Sequence, residues 1–302
     1  MIQVVFDSLI RASELALLAL GLTMVYSVLR FPNFSHVEFA PIGGYIALLL
    51  SSTLGFNLYV AGALAVVAAG LIGVGCDRLV FAKLRERSPI MLMIAAFALG
   101  IALRETIRAA WGPSPFFFEL GLQRPMTVLG AHLTPVQLTI IVTAFACMLG
   151  FHLLLNHTKL GIAMRAAADN SELAQASGIY TERVIRAVWF IGGAFAALGG
   201  ILIGLDTQLQ PDMGFGIIIP VFCAAILGGI GHPYGAMLGA LVLGFAENIG
   251  LSIDWGALAS LTGLVSVEHV YISTGYKEGI PFAILILVLL LRPQGLAGGR
   301  RR

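Results

Sequence analysis

Two acidic residues stand in stretches otherwise poor in charge: Glu247, next to Asn248 at the end of a long apolar run, and Glu38, two positions from His36. A charge held at the centre of a bilayer costs about 2.5 to 3.5 kcal/mol on insertion scales, so such groups pair with one another or line a polar path. The chemistry they offer is ion or substrate passage; the competing reading is a carboxylate at an interface or between packed helices. Arg104, Glu105 and Arg108 follow one another at the end of an apolar run and read as an ion-paired cluster at an interface. In GGIGHPYG, 228–235, Gly228, Gly229, Gly231, Pro233 and Gly235 are poor residues for a helix interior, which makes this segment a candidate broken helix beside a pathway.

Other chemistries find no support in the residue types. A phosphate loop needs a lysine after glycine and before Ser or Thr, and Lys83, Lys159 and Lys277 have neither neighbour. His36, His132, His152, His157, His232 and His269 show no paired ligand spacing, and no serine sits in a nucleophile elbow. Cys76, Cys147 and Cys223 lie inside apolar runs without disulfide or metal spacing and read as packing residues. No catalytic or metal site is expected.

The run RAAADNSELAQASGIYTERVIR, 165–186, is a polar island between apolar segments. Asp169 followed by Glu172 resembles a capping box and predicts a helix starting there, with Gly178 as its stop and Thr181 as the cap of the next helix. Leu173, Ala174 and Ser177 fall on one side of it. A short amphipathic helix on the membrane surface follows, either sealing the loop against headgroups or offering a surface to a partner.

These residues are positioned by a chain of 302 residues that is 58% hydrophobic and 11% charged, against roughly 25% charged in soluble domains. An all-α, polytopic membrane bundle forming a single domain over 1–302 is the class that fits, with the loop at about 156–184 and a basic tail at about 292–302. The net charge of +2 carries no basic run interleaved with aromatics, so nucleic acid is not expected as a partner. The N-terminus lacks a basic leader and a cleavage site, and reads as a retained first span.

A crossing needs about 20 apolar residues. Residues 9–29, 89–110, 134–155, 186–205 and 277–291 each supply one, and 39–76 supplies two if broken at GFN, 55–57. Basic residues collect at Arg78, Lys83, Arg85 and Arg87, at Lys159, Arg165, Arg183 and Arg186, and at Arg292 and Arg300 to Arg302. The positive-inside rule makes these three segments cytoplasmic, with the N-terminus outside and the C-terminus inside. That parity requires 213–246 to turn at GGIGHPYG as a hairpin or re-entrant loop, or else 255–267 to cross as well. The hairpin is favoured, and about seven to nine crossings result. Small residues repeat every fourth position at Ala61, Ala65, Ala69 and Gly73, at Gly192, Ala196, Gly200 and Gly204, and at Ala236, Ala240 and Gly244, predicting close helix contacts, part of them between subunits.

The run HTKLGIAMRAAADNSELAQASGIYTERVIRAVWFIGGAFAALGGILIG, 157–204, resembles the membrane permease subunits of ABC importers for branched-chain amino acids. So do NFSHVEFAPIGGYIA, 33–47, the run 224–247, and YKEGIPFAILILVLLLRPQGL, 276–296; the stretch 248–274 is longer than the family's pattern. The resemblance implies a coupling helix that inserts into a cleft of a separate ATP-binding subunit, with Arg165, Ala166, Asp169, Ala174, Gly178 and Ile179 at the matching positions. It also implies a second permease subunit, identical or paralogous, two cytoplasmic ATP-binding subunits that hold ATP and magnesium, and a periplasmic substrate-binding protein. The chain itself would carry no cofactor, would not be an enzyme, and would sit in a bacterial inner membrane carrying branched-chain or related amino acids or small amides. Broken helices and midplane acids also suit an ion-coupled secondary transporter or channel, which is the alternative.

Overall fold

The computed structural model describes residues 2–121, 123–253, 271, 273–277, 279–292 and 294–297. The segment 255–267 and the arginines at 300–302 lie outside the described residues, as does most of the long stretch 248–274. The expected helical bundle is found: among the described residues seven helices are long and apolar enough to cross a membrane, and two shorter apolar ones accompany them.

The first, α1 (Ile2–Leu29), is the centre of the bundle, with Leu15 to Val25 buried. Arg30 takes a left-handed φ of 58° and ends it. The chain then doubles back in extended form to Asn33, whose Oδ1 accepts from the Ser35 amide at 3.2 Å and hydroxyl at 2.7 Å. A 3-10 turn, Phe34–Glu38, leads into α2 (Phe39–Leu48), so this span starts earlier than the 39 read from the sequence. The His36 ring reaches the Leu18 carbonyl at 3.2 Å, which sets the turn at the depth of the middle of α1.

The break expected at 55–57 is present, with Gly55 at φ +69° and the Asn57 side chain capping α3 (Leu58–Cys76). A wide turn and the single-turn α4 (Ala82–Leu84) lead to α5 (Pro89–Trp111), which Ser88 caps. The connection to α6 (Pro135–His157) carries an antiparallel hairpin, β1 (Met126–Val128) and β2 (Ala131–Leu133). Leu129 and Gly130 both have positive φ at its tip, which is the backbone a two-residue hairpin turn needs. Next come α7 (Lys159–Asp169), α8 (Ser171–Ala176), α9 (Thr181–Asp206), α10 (Met213–Gly228), α11 (Pro233–Ser252) and α12 (Gly279–Leu291). The hairpin reading of GGIGHPYG is therefore the observed one.

Contacts between loops define two ends. At one, the His132 amide donates to Gln3, Phe116 pairs with Leu209, and Arg108 meets Asp212. At the other, Arg30 donates to the Ala168 carbonyl, Arg85 to Glu182, and the amides of Leu296 and Ala297 to the carbonyls of Leu227 and Gly228. The described residues of the three basic segments all belong to this second, basic end. The last two bonds cap α10, whose terminal carbonyls would otherwise lack partners.

The small-residue stripes are consumed inside the chain, which corrects the expectation that part of them meets another subunit. Ala61, Ala65 and Ala69 are fully buried, and a side chain at Gly193 would stand 3.1 Å from the Ala69 carbonyl. A side chain at Gly200 would strike the backbone of Ala40, and one at Gly244 would approach the Ala12 amide to 2.7 Å. Without water to drive apolar surfaces together in lipid, such backbone proximity supplies the packing.

Candidate functional site

The polar island folds as two short helices rather than one. The Thr158 hydroxyl accepts from the Gly161 amide at 3.0 Å to start α7, and Gly161 lies so close to the Leu154 and Leu155 backbone that any side chain would collide. Met164 and Ala167 turn inward and hold α7 against the bundle. Asp169 is the last residue of α7 and does not cap; the cap is Asn170, extended at φ −151°, with Oδ1 accepting from the Leu173 amide at 3.0 Å. The shift by one arises because Asp and Asn are both good caps and the α7 backbone continues through the first. Gly178 stops α8 as expected: at φ +86° its amide donates to Gln175, and the Ile179 amide donates to Ala174, both at 3.0 Å. Thr181 does not cap α9; that position belongs to Tyr180, which makes no side-chain cap bond.

Of the six residues matched to the coupling motif, Arg165, Asp169 and Gly178 are exposed and Ala166 and Ile179 half-buried. Ala174 is 4% exposed and faces the permease body, whereas Leu173 beside it is 64% exposed. The two do not share a face, contrary to the sequence reading. Ser171, Glu172, Gln175 and Ala176 are exposed with Leu173. Leu173 is thus the large apolar residue that α8 itself offers outward, with Ile162 and Tyr180 also exposed in the flanking parts of the loop, and its signal was an uncompensated leucine in a polar run.

A cavity of about 320 Å³ separates this loop from the turn between α10 and α11, with Arg165 and Asp169 on one wall and Gly231, His232 and Tyr234 on the other. Arg165 donates to Asn156 Oδ1 at 3.3 Å, the Asn156 amide to Tyr234 Oη at 2.9 Å, and the His152 ring lies 3.0 Å from the same oxygen. Two groups of sequence candidates, the coupling loop and the broken helix, are thereby brought together. Gly229 and Gly231 have φ of +102° and +88°, and Gly228 packs directly on the Gly235 backbone. Pro233 opens α11.

Glu247 and Glu38 lie elsewhere and apart. Glu247 is fully buried; its Oε2 accepts from Arg11 Nε at 2.9 Å and stands 3.8 Å from Lys277 Nζ, while Arg11 also reaches Glu14 at 3.5 Å. This is a charge network joining α1, α11 and the approach to α12, and sequence reading missed its partners. Glu38 lies near Arg104, with Oε1 4.0 Å from Nη1, and not against the His36 ring. Arg104, Glu105 and Arg108 form the expected cluster, joined by Asp212, whose carboxylate Arg108 grips at 2.6 Å.

The family described as "Branched-chain amino acid transport system / permease component" matches residues 4–289. This chain is a member of that family. The permease is 33% identical over 312 residues to the high-affinity branched-chain amino acid transport system permease protein LivH of Escherichia coli K12, covering 98% of this chain and 95% of that protein. It is 31% identical to the corresponding permease protein BraD of Pseudomonas aeruginosa, with the same coverage. Among solved structures, PsaBC from Streptococcus pneumoniae in complex with Fab superposes with a TM-score of 0.51 at 12% identity, over 95% of this chain and 91% of that one. At that identity the permease shares a fold with it and no more is implied.

Proposed function

We propose that this chain is a permease subunit of an ATP-driven importer for branched-chain or related amino acids in a bacterial inner membrane. The basic end faces the cytoplasm by the positive-inside rule, which puts the N-terminus outside. A second permease subunit completes the pathway, a periplasmic binding protein delivers substrate to the outer end, and two cytoplasmic subunits bind ATP with magnesium. The observation that carries the coupling role is the position of α8: it sits at the basic end with Leu173 exposed, and the neighbouring α7 is hydrogen-bonded through Asn156 to the α10–α11 turn. A push on α8 therefore has a direct route into a membrane-embedded hairpin. The amino-acid substrate is proposed from the branched-chain amino acid transport systems to which LivH and BraD belong.

The deciding experiment is uptake of labelled leucine by proteoliposomes holding the complete transporter. Uptake must require ATP and the ATP-binding subunits; transport that persists unchanged without those subunits would overturn the reading.

A further inference from the structure

At the basic end, the cavity between α7 and the α10–α11 turn holds charges that do not pair with one another. Its walls carry Arg30 after α1, Arg165 and Asp169 on α7, and His232 before α11. Each guanidinium gives one nitrogen to a neutral oxygen: Arg30 Nη2 donates to the Ala168 carbonyl, and Arg165 Nη1 to Asn156 Oδ1 at 3.3 Å. Arg165 and Asp169 stand four positions apart on one helix, a spacing at which opposite charges are neighbours. Among the described residues, however, neither of them belongs to a salt bridge, and nor does Arg30. A further positive feature faces the same space. Helix α11 opens at Pro233 and His232 makes no side-chain cap bond, so the positive end of the helix dipole is uncovered there.

The rest of the lining is largely hydrocarbon, from Met24 and Val28 on α1, Phe151 and Leu155 on α6, and Met164 on α7. Helix α6 turns Leu149 and Leu153 outward, where acyl chains run in a bilayer, and Ile230 and Tyr234 at the α10–α11 turn are exposed as well. At about 320 Å³ the cavity far exceeds the room one water needs. Charged groups beside hydrocarbon, at the end of a membrane bundle, match an amphiphile rather than a soluble ion. Basic pockets between membrane helices on the cytoplasmic side take lipid headgroups.

We propose that this cavity binds the headgroup of a phospholipid that carries both a phosphate and a primary ammonium. The phosphodiester oxygens accept from Arg30 and Arg165 and lie at the start of α11, where helix amides favour an anion. The ammonium donates to the Asp169 carboxylate, and the glycerol end lies along Phe151 and Leu155. A headgroup with three N-methyl groups has no donor for Asp169, and one ending in an alcohol leaves that carboxylate without a counter-charge. The bound lipid bridges α7 to the α10–α11 turn and sets the spacing of the two elements through which a push on α8 travels. That last consequence alone rests on the permease reading above.

The test equilibrates the complete transporter, stripped of lipid in detergent, with equal amounts of phosphatidylethanolamine, phosphatidylcholine and phosphatidylglycerol, and counts retained lipid by native mass spectrometry. Phosphatidylethanolamine is expected to be retained with a roughly tenfold or greater preference, the effect of one lost charge-assisted hydrogen bond. Arg165→Gln, on an exposed side chain, should lower that retention by a similar factor, and Arg30→Gln likewise. Asp169→Asn should keep a lipid bound but erase the preference over phosphatidylglycerol. Inorganic phosphate and phosphoethanolamine at millimolar concentration should not displace the lipid; displacement by either would assign the site to a soluble anion and overturn the proposal. Equal retention of the three lipids, or retention unaltered by both arginine variants, would overturn it too. The count is read without ATP or leucine, so a complex that keeps the lipid but fails in ATP-driven uptake sinks the importer reading and leaves the site standing.

Discussion

Arg11 Nε donates to Glu247 Oε2 at 2.9 Å, clamping the first helix of the permease to the eleventh in a fully buried contact on the Glu247 side. Removing one member of a buried pair strands the other charge, at about 3 to 5 kcal/mol. Glu247→Gln should therefore lower the thermal midpoint of the purified complex by several degrees. Uptake by the surviving protein should remain ATP-driven and indifferent to an imposed pH gradient. Uptake driven by that gradient in the unmodified protein, and lost in the variant, would favour the ion-coupled alternative.

Leu173 and Ala174 are adjacent but opposed, one outward and one packed inward. If α8 docks as proposed, Leu173→Arg should give a monodisperse permease that inserts normally yet fails to co-purify with the proposed ATP-binding subunit. Ala174→Arg should instead reduce the amount of folded permease, because a long charged side chain replaces a buried methyl group. Size-exclusion chromatography followed by pull-down separates the two outcomes.

Gly178 holds a left-handed φ of +86° with nothing within 4 Å of where a side chain would project. Only backbone strain opposes substitution there. Gly178→Ala should cost about 1 to 2 kcal/mol, visible as faster exchange of the backbone amides at positions 178 and 179, with little change in overall stability of the bundle. Protection equal to that of the unmodified protein would refute the role given to this residue.

Gly200 and Gly62 are both helical glycines with opposite surroundings: Gly200 lies against the Ala40 carbonyl, whereas Gly62 has nothing within 4 Å. Gly200→Ala should destabilise by about 1 to 3 kcal/mol through forced separation of α2 and α9. Gly62→Ala should be neutral or slightly favourable. Thermal midpoints of the two variants in the same detergent check the contrast.

The helices and their breaks were legible because local residues enforce them. Gly55 and Asn57 end and restart the chain between α2 and α3, Gly229 and Pro233 do so between α10 and α11, and Gly178 closes α8. The doubling back from Arg30 to Asn33 was not legible, since the 3-10 turn after it is fixed by distant partners, with His36 on Leu18 and Phe34 on Phe222. The inward face of Ala174 was hidden because α8 is too short for periodicity to choose a face. The partners of Glu247 and Arg108 were invisible for the same reason that they matter: Arg11 is 236 positions from one and Asp212 is 104 from the other. Spacing along the chain carries no trace of such pairings.

The amides of Leu296 and Ala297 occupy the terminal carbonyls of α10 at the turn where that helix reverses. A protein shortened before these positions would keep every long apolar helix and still lose two stitches at the corner between α10 and α11. Tags and fusions placed beyond them leave the seam intact, while those that replace them unpick it.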